Sequence, residues 1–112
     1  MTEVVIIDAI RTPIGRKKGA LAKTHPVDLL VPVLKELINR NGIAASEIED
    51  VITGCVTMTD EQGGNIGRMA VLAAGFPVEV PSFSLNRMCG SRHFCRGNIQ
   101  KGEPSGVCQF CA

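Results

Sequence analysis

Three short apolar runs, separated by two stretches with helical periodicity, restrict what this chain can fold into more than any other feature. Val4 to Ile10 is apolar apart from Asp8, the pattern of a strand buried on both faces of a mostly parallel sheet. Val51 to Val56 repeats it, with Cys55 as a packing residue, and is expected beside the first run in the sheet. Pro81 to Leu85 alternates apolar and polar positions, as a third strand would. Between the first two runs, Val27, Leu30, Val31, Leu34, Leu37 and Ile38 recur at three- and four-residue steps and form one apolar stripe. Pro26 suits a first helical position, Asp28 the positive end of the helix dipole, and Asn41-Gly42 a C-terminal stop. His25 is read as a surface or capping residue. Pro32 removes a helical hydrogen bond, so a kink there, or a helix that begins properly only near Pro32, is expected.

Ser46 to Glu49 has capping-box spacing and predicts a short helical turn before the second strand. After a polar turn at Thr59 to Gly64, residues Asn65 to Ala74 read as a second helix. Its small residues Gly67, Ala70, Ala73 and Ala74 allow close packing on a sheet, and Gly75 and Pro77 end it. The order strand, helix, strand, helix, strand predicts an α/β layer with right-handed crossovers.

The 112 residues suffice for one domain, and a hydrophobic content of 45% is enough for a core. A net charge of +1 gives no global electrostatic argument for binding nucleic acid or a membrane. No apolar run approaches the roughly 18 residues of a spanning helix, and Glu3 stands where a signal peptide carries a basic residue. A cytoplasmic setting is expected, with the five cysteines reduced. Arg16 to Thr24 is a basic loop whose glycines miss the phosphate-loop spacing; it reads as a solvated loop, with contact to an anionic substrate as the alternative.

The third strand runs into Asn86-Arg87-Met88-Cys89-Gly90-Ser91, a tight turn with a thiol at its apex. Gly90 removes side-chain bulk beside the sulfur. A helix beginning after Cys89 would bring its dipole to the sulfur and offer free backbone N–H groups to an oxyanion. Cys89 is thus the candidate nucleophile; the alternative on local composition is a small buried hydrophobe.

The six residues from Asn86 to Ser91 resemble the active-site signature of the thiolases, acyl-CoA acyltransferases that make or break a carbon–carbon bond through an acyl-cysteine. VVIIDAIRTPIG from Val4, Asp28-Leu29-Leu30, IEDVITGCV from Ile48, EQGGNIGRMAVLAA from Glu61 and PVEVP from Pro77 are similar, in order and spacing, to successive blocks of a thiolase amino-terminal region. The resemblance implies part of the amino-terminal half of a layered α/β fold, a mostly parallel sheet with packed helices. It also implies acyl transfer on Cys89, coenzyme A thioesters as substrates with no permanently bound cofactor, and association as a homo-oligomer or with another thiolase subunit. It assigns no coenzyme-binding residue here. The two bases that the reaction needs belong, in that family, to Gly-His-Pro and Cys-x-Gly motifs of the carboxy-terminal half. His93, four residues after Cys89, is not where the family keeps its base, and Cys108 and Cys111 lack the following glycine.

Residues 1–91 therefore read as a partial thiolase-like domain and 92–112 as a divergent cysteine-containing tail. Arg92, His93 and Arg96 fall where the family buries an apolar helix, Ile99 to Glu103 resembles that helix's end too early, and Pro104 to Ala112 lacks the glycine-rich strand expected next. The chain is read as a truncated fragment with a disrupted frame. His93, Cys95, Cys108 and Cys111 leave three readings of the tail: structural zinc, a dithiol redox pair, or accident of sequence. No metal ligand is assigned.

Overall fold

The computed structural model describes residues 5–91 and, as backbone, 106–110. Its centre is a three-stranded, all-parallel sheet in the order β2-β1-β3, with β1 at Asp50–Gly54, β2 at Ser82–Leu85 and β3 at Gly106–Phe110. Val51 lies opposite Ser82 on one side and Val107 on the other. A mostly parallel α/β arrangement is thus what the apolar runs and the intervening helices build.

One helix packs on the sheet and another packs against that helix. The first in chain order, α1 (Pro26–Asn41), is capped by His25, whose Nδ1 accepts from the Val27 backbone N–H at 3.2 Å. It runs unbroken through Pro32, against the expected kink or late start. Pro32 costs only the bond to the Asp28 carbonyl, and the buried stripe of Leu30, Val33 and Leu34 spans it on both sides. The second, α2 (Ile66–Ala73), begins at Asn65, whose side chain accepts from the Arg68 backbone N–H. Both helices end the same way, in a left-handed glycine, Gly42 at φ 62° and Gly75 at φ 81°. The residue after each glycine donates back to the last turn, Ile43 to Ile38 and Phe76 to Val71.

Gly67 sets how closely α2 approaches the sheet. A Cβ there would stand 2.5 Å from Thr53 Oγ1 and 2.6 Å from Ser82 Oγ, so the helix backbone rests directly on β1 and β2. Around that contact lies the main core: Leu34, Val51, Cys55, Ile66, Ala70 and Val71 have no exposed surface, and Leu30, Phe76 and Val80 close it. Thr53 Oγ1, sealed beneath Gly67, has no hydrogen-bond partner.

Three expectations need correction. Residues 5–10 form no strand, and Val5, Ile6 and Ile7 are 66%, 70% and 70% exposed. Both sides of β1 are already taken by β2 and β3, so the position beside it is filled. Asp8 instead ties the run to the end of α1, accepting from Asn41 Nδ2 at 3.1 Å and pairing with Arg40 at 3.4 Å. These contacts, the Asn41 hydrogen bond foremost, hold its carboxyl below the usual 3.8. Second, the short helical turn before β1 is present, at Ala45–Glu47, but its cap lies two residues earlier than expected: Glu47, not Glu49, accepts from the Ala44 backbone N–H at 2.8 Å. Third, the tail does contain a strand, β3. Parallel pairing draws on the backbone, and Val107 and Phe110 suit a pleated surface without the expected glycines. Arg92 to Glu103, with His93 and Cys95, and also Cys111, lie outside the described residues, and with them the zinc and dithiol readings. Among the described residues no three His, Cys, Asp or Glu side chains cluster for a metal, and no helix is long and apolar enough to cross a membrane.

Gly67→Ala should destabilise the fold by about 1–3 kcal/mol, the overpacking cost exceeding the roughly 1 kcal/mol that alanine gains in helix propensity. A urea unfolding midpoint that does not fall would contradict this packing.

Candidate active site

Parallel strands end at one edge of their sheet, and in open α/β sheets ligands bind outside that carboxyl edge. Here the edge carries Cys55 after β1 and the turn Asn86–Ser91 after β2. The two cysteines there differ sharply. Cys55 is fully buried, its thiol 3.4 Å from Gln62 Oε1 and 3.6 Å from the Thr57 carbonyl. Burial pushes its pKa above the ordinary value, with the hydrogen bond at Thr57 pulling the other way. Cys89 is exposed, which removes the reading of it as a buried hydrophobe.

The elements below the turn are fixed by a chain of hydrogen bonds. Ser84 Oγ accepts from the Gly67 backbone N–H at 3.1 Å and donates to Asn65 Oδ1 at 2.8 Å. Asn65 Nδ2 donates to the Ser82 carbonyl and Ser82 Oγ to the Val51 carbonyl, at 2.9 and 2.8 Å. The N-terminus of α2 is therefore stitched to β2, and β2 to β1. Arg68 extends the seam by donating to the Val78 and Val80 carbonyls on the approach to β2.

The turn itself is held from both ends. Asn86 Nδ2 donates to the Val56 carbonyl at 2.9 Å, linking the segments that leave β1 and β2, while Asn86 Oδ1 accepts from the Met88 N–H at 2.9 Å. Gly90 N–H donates to the Arg87 carbonyl and Ser91 N–H to the Met88 carbonyl. The left-handed residue is Met88, at φ 50°, directly before the thiol, not the glycine after it. A non-glycine residue there costs on the order of 1–3 kcal/mol and persists only where its surroundings hold it. Gly90 matters for room: a Cβ on it would come within 3.2 Å of the Arg87 carbonyl. Ser91, the last described residue before the tail, has helical backbone; whether a helix follows Cys89 lies outside the described residues. The described residues thus bring Cys89 and Gly90 together with Asn86, Met88 and Ser91.

The thiolase N-terminal domain model matches residues 4–94. The chain belongs to the thiolase family. It is 48% identical over 91 residues to a steroid 3-ketoacyl-CoA thiolase, FadA6, of Mycobacterium tuberculosis, a match covering 81% of this chain and 22% of that protein. To a 3-ketoacyl-CoA thiolase of Vibrio vulnificus it is 47% identical over 113 residues, covering 99% of this chain and 29% of the relative. In three dimensions it superposes on the crystal structure of the Bacillus anthracis acetyl-CoA acetyltransferase with a TM-score of 0.74 at 42% identity, covering 87% of this chain and 25% of that one. The chain thus spans about a quarter of the length of these thiolases. The α/β fold with its parallel sheet is theirs.

The roles of Asn86 and Ser91 in shaping the turn are not evident from sequence, although both lie inside the thiolase-like hexapeptide; their short polar side chains, two and three residues from Met88, are the signal for local side-chain-to-backbone bonding. The two edge thiols should part in reactivity. With iodoacetamide at pH 8 the tryptic peptide Met88–Arg92 should be labelled at least about tenfold faster than the peptide carrying Cys55, which is protected by burial. Equal rates, read by mass spectrometry, would be inconsistent with a sealed Cys55.

Proposed function

We propose that this chain carries the acyl-accepting step of a thiolase-type acyl transfer, with Cys89 as nucleophile. The observation that supports it most is an exposed sulfur on a turn held in a strained, fully tied conformation at the carboxyl edge of the sheet. The step balances as follows. The Cys89 thiolate attacks the carbonyl carbon of an acyl-CoA, a new S–C bond forms, the C–S bond to coenzyme A breaks, and the proton lost by Cys89 ends on the coenzyme A thiol. Backbone N–H groups would hold the tetrahedral oxyanion. A carbanion from a second acyl-CoA would then take the acyl group from sulfur, giving a 3-oxoacyl-CoA, or the reverse cleavage would run.

The bases for this second half lie, in the family, in carboxy-terminal motifs. No Gly-His-Pro is present here. Cys95-Arg96-Gly97 does have the bare Cys-x-Gly spacing. It follows the nucleophile by a few residues instead of standing in a distant half, and no role is carried onto it. The substrate is a coenzyme A thioester, no permanently bound cofactor takes part, and the reduced thiol that the step requires suits a cytoplasmic setting.

Incubated with acetyl-CoA, the chain should slowly gain one acetyl group on Met88–Arg92, and Cys89→Ala should lose it, with no acetoacetyl-CoA formed. A label that persists in Cys89→Ala refutes the assignment of the nucleophile, and sustained turnover refutes the restriction to a half-reaction.

A second reading is favoured by the exposure of Val5, Ile6 and Ile7: this apolar run docks on another thiolase subunit or on a second copy of the chain. Ile6→Lys should then lower the mass measured by light scattering to that of a monomer; a monomeric unsubstituted chain would count against this docking.

A further inference from the structure

Ser91 is 2% exposed, one of the two buried polar side chains among the described residues. Its hydroxyl accepts from the Arg87 backbone N–H at 2.8 Å and donates to the Met88 carbonyl at 2.8 Å. The same carbonyl also accepts from the Ser91 backbone N–H at 3.1 Å. One side chain therefore grips the backbone on both sides of Met88, the residue held left-handed at φ 50° immediately before Cys89. From these contacts we infer that Ser91 is a positioning residue for the thiol: its hydroxyl holds Met88 left-handed and so fixes the direction in which Cys89 meets an acyl donor. The inference builds on the acyl-transfer reading of Cys89.

The physical case rests on what each group would do without the hydroxyl. The Arg87 N–H would lose the side-chain acceptor that ties it to the far end of the turn. Met88 would keep only the Asn86 side chain and the Ser91 backbone N–H to hold it in a conformation that disfavours any side chain larger than hydrogen. The sulfur would stay exposed but would no longer be held in one direction toward an acyl donor, and misplacement by about 1 Å can cost as much as 10²-fold in an acyl transfer. Alkylation by iodoacetamide passes through no oxyanion, so it follows exposure and thiolate fraction and not the alignment that acyl transfer needs. The two chemistries thus separate positioning from mere access.

The test uses the whole chain, with the Met88–Arg92 peptide reporting Cys89 and the protection of Cys55 reporting the fold. Acyl donors are p-nitrophenyl acetate, which needs no coenzyme recognition, and acetyl-CoA. Ser91→Ala should slow acetylation of Cys89 by p-nitrophenyl acetate about tenfold or more while leaving its alkylation within about twofold and Cys55 protected. Acetylation at the unsubstituted rate, or acetylation and alkylation slowed alike, would overturn the inference. Where Ser91→Ala exposes Cys55, the equally shaped pair Ser91→Thr and Ser91→Val decides: the threonine variant should acetylate about tenfold faster than the valine variant, and equal rates would overturn the inference. Failure of acetyl-CoA, with p-nitrophenyl acetate still sensitive to the hydroxyl at position 91, would remove the coenzyme A reading and leave the positioning role standing.

Discussion

The contact between the Gly67 backbone and the side chains of Thr53 and Ser82 is the constraint on which the arrangement depends. It brings α2 close enough to the sheet for Asn65 and Ser84 to bond one another and for the Gly67 N–H to reach Ser84 Oγ. Any larger residue would lift the helix and break those bonds together. The cost of this intimacy is visible in Thr53, whose buried hydroxyl has no hydrogen-bond partner. A group of that kind typically costs about 1–3 kcal/mol, tolerable where it seals a core of Val51, Ile66, Ala70 and Val71.

From that seam the geometry passes to the thiol without a break. Ser82 and Ser84 sit in β2, the turn follows Leu85 directly, and Asn86 ties its start to Val56 beyond β1. Each link is a backbone or short side-chain bond, so little slack can accumulate between the core and Cys89. The strain at Met88 is sustained by this rigidity. Cys55, at the same edge, serves the opposite purpose: it fills space and takes its hydrogen bonds from its own loop.

Much of this was legible in the amino-acid pattern because it follows from local rules. Periodicity marked α1, glycine and proline marked the helix ends, His25 read as a surface or capping residue, and Gly67, Ala70 and Ala74 marked the buried face of α2, whereas Ala73, expected with them, is exposed. The thiolase-like hexapeptide pointed to the turn. What escaped was decided by tertiary competition. Val4 to Ile10 has every local property of a buried strand, yet the places on either side of β1 are filled by β2 and by β3, the latter drawn from a tail without the expected glycines. Pro32 breaks a helix in isolation but not one whose apolar stripe is buried on both sides of it. The left-handed residue has no signal in its own identity; it falls on Met88 because Ser91 and Asn86 hold it there.

The link between Asn86 and Val56 spans 30 residues of sequence, and the bond from Ser82 to Val51 spans 31. Contacts of that span are made late in folding, after the entropy of closing the loop has been met. The thiol-bearing turn is for that reason no local motif. A short peptide copied from Asn86 to Ser91 would contain the sulfur, the serine and the asparagine, yet would lack the Val56 carbonyl and the β1 scaffold that orient them. On a nascent chain, the cysteine would remain an ordinary flexible thiol until the strand made some thirty residues earlier had come to lie beside it.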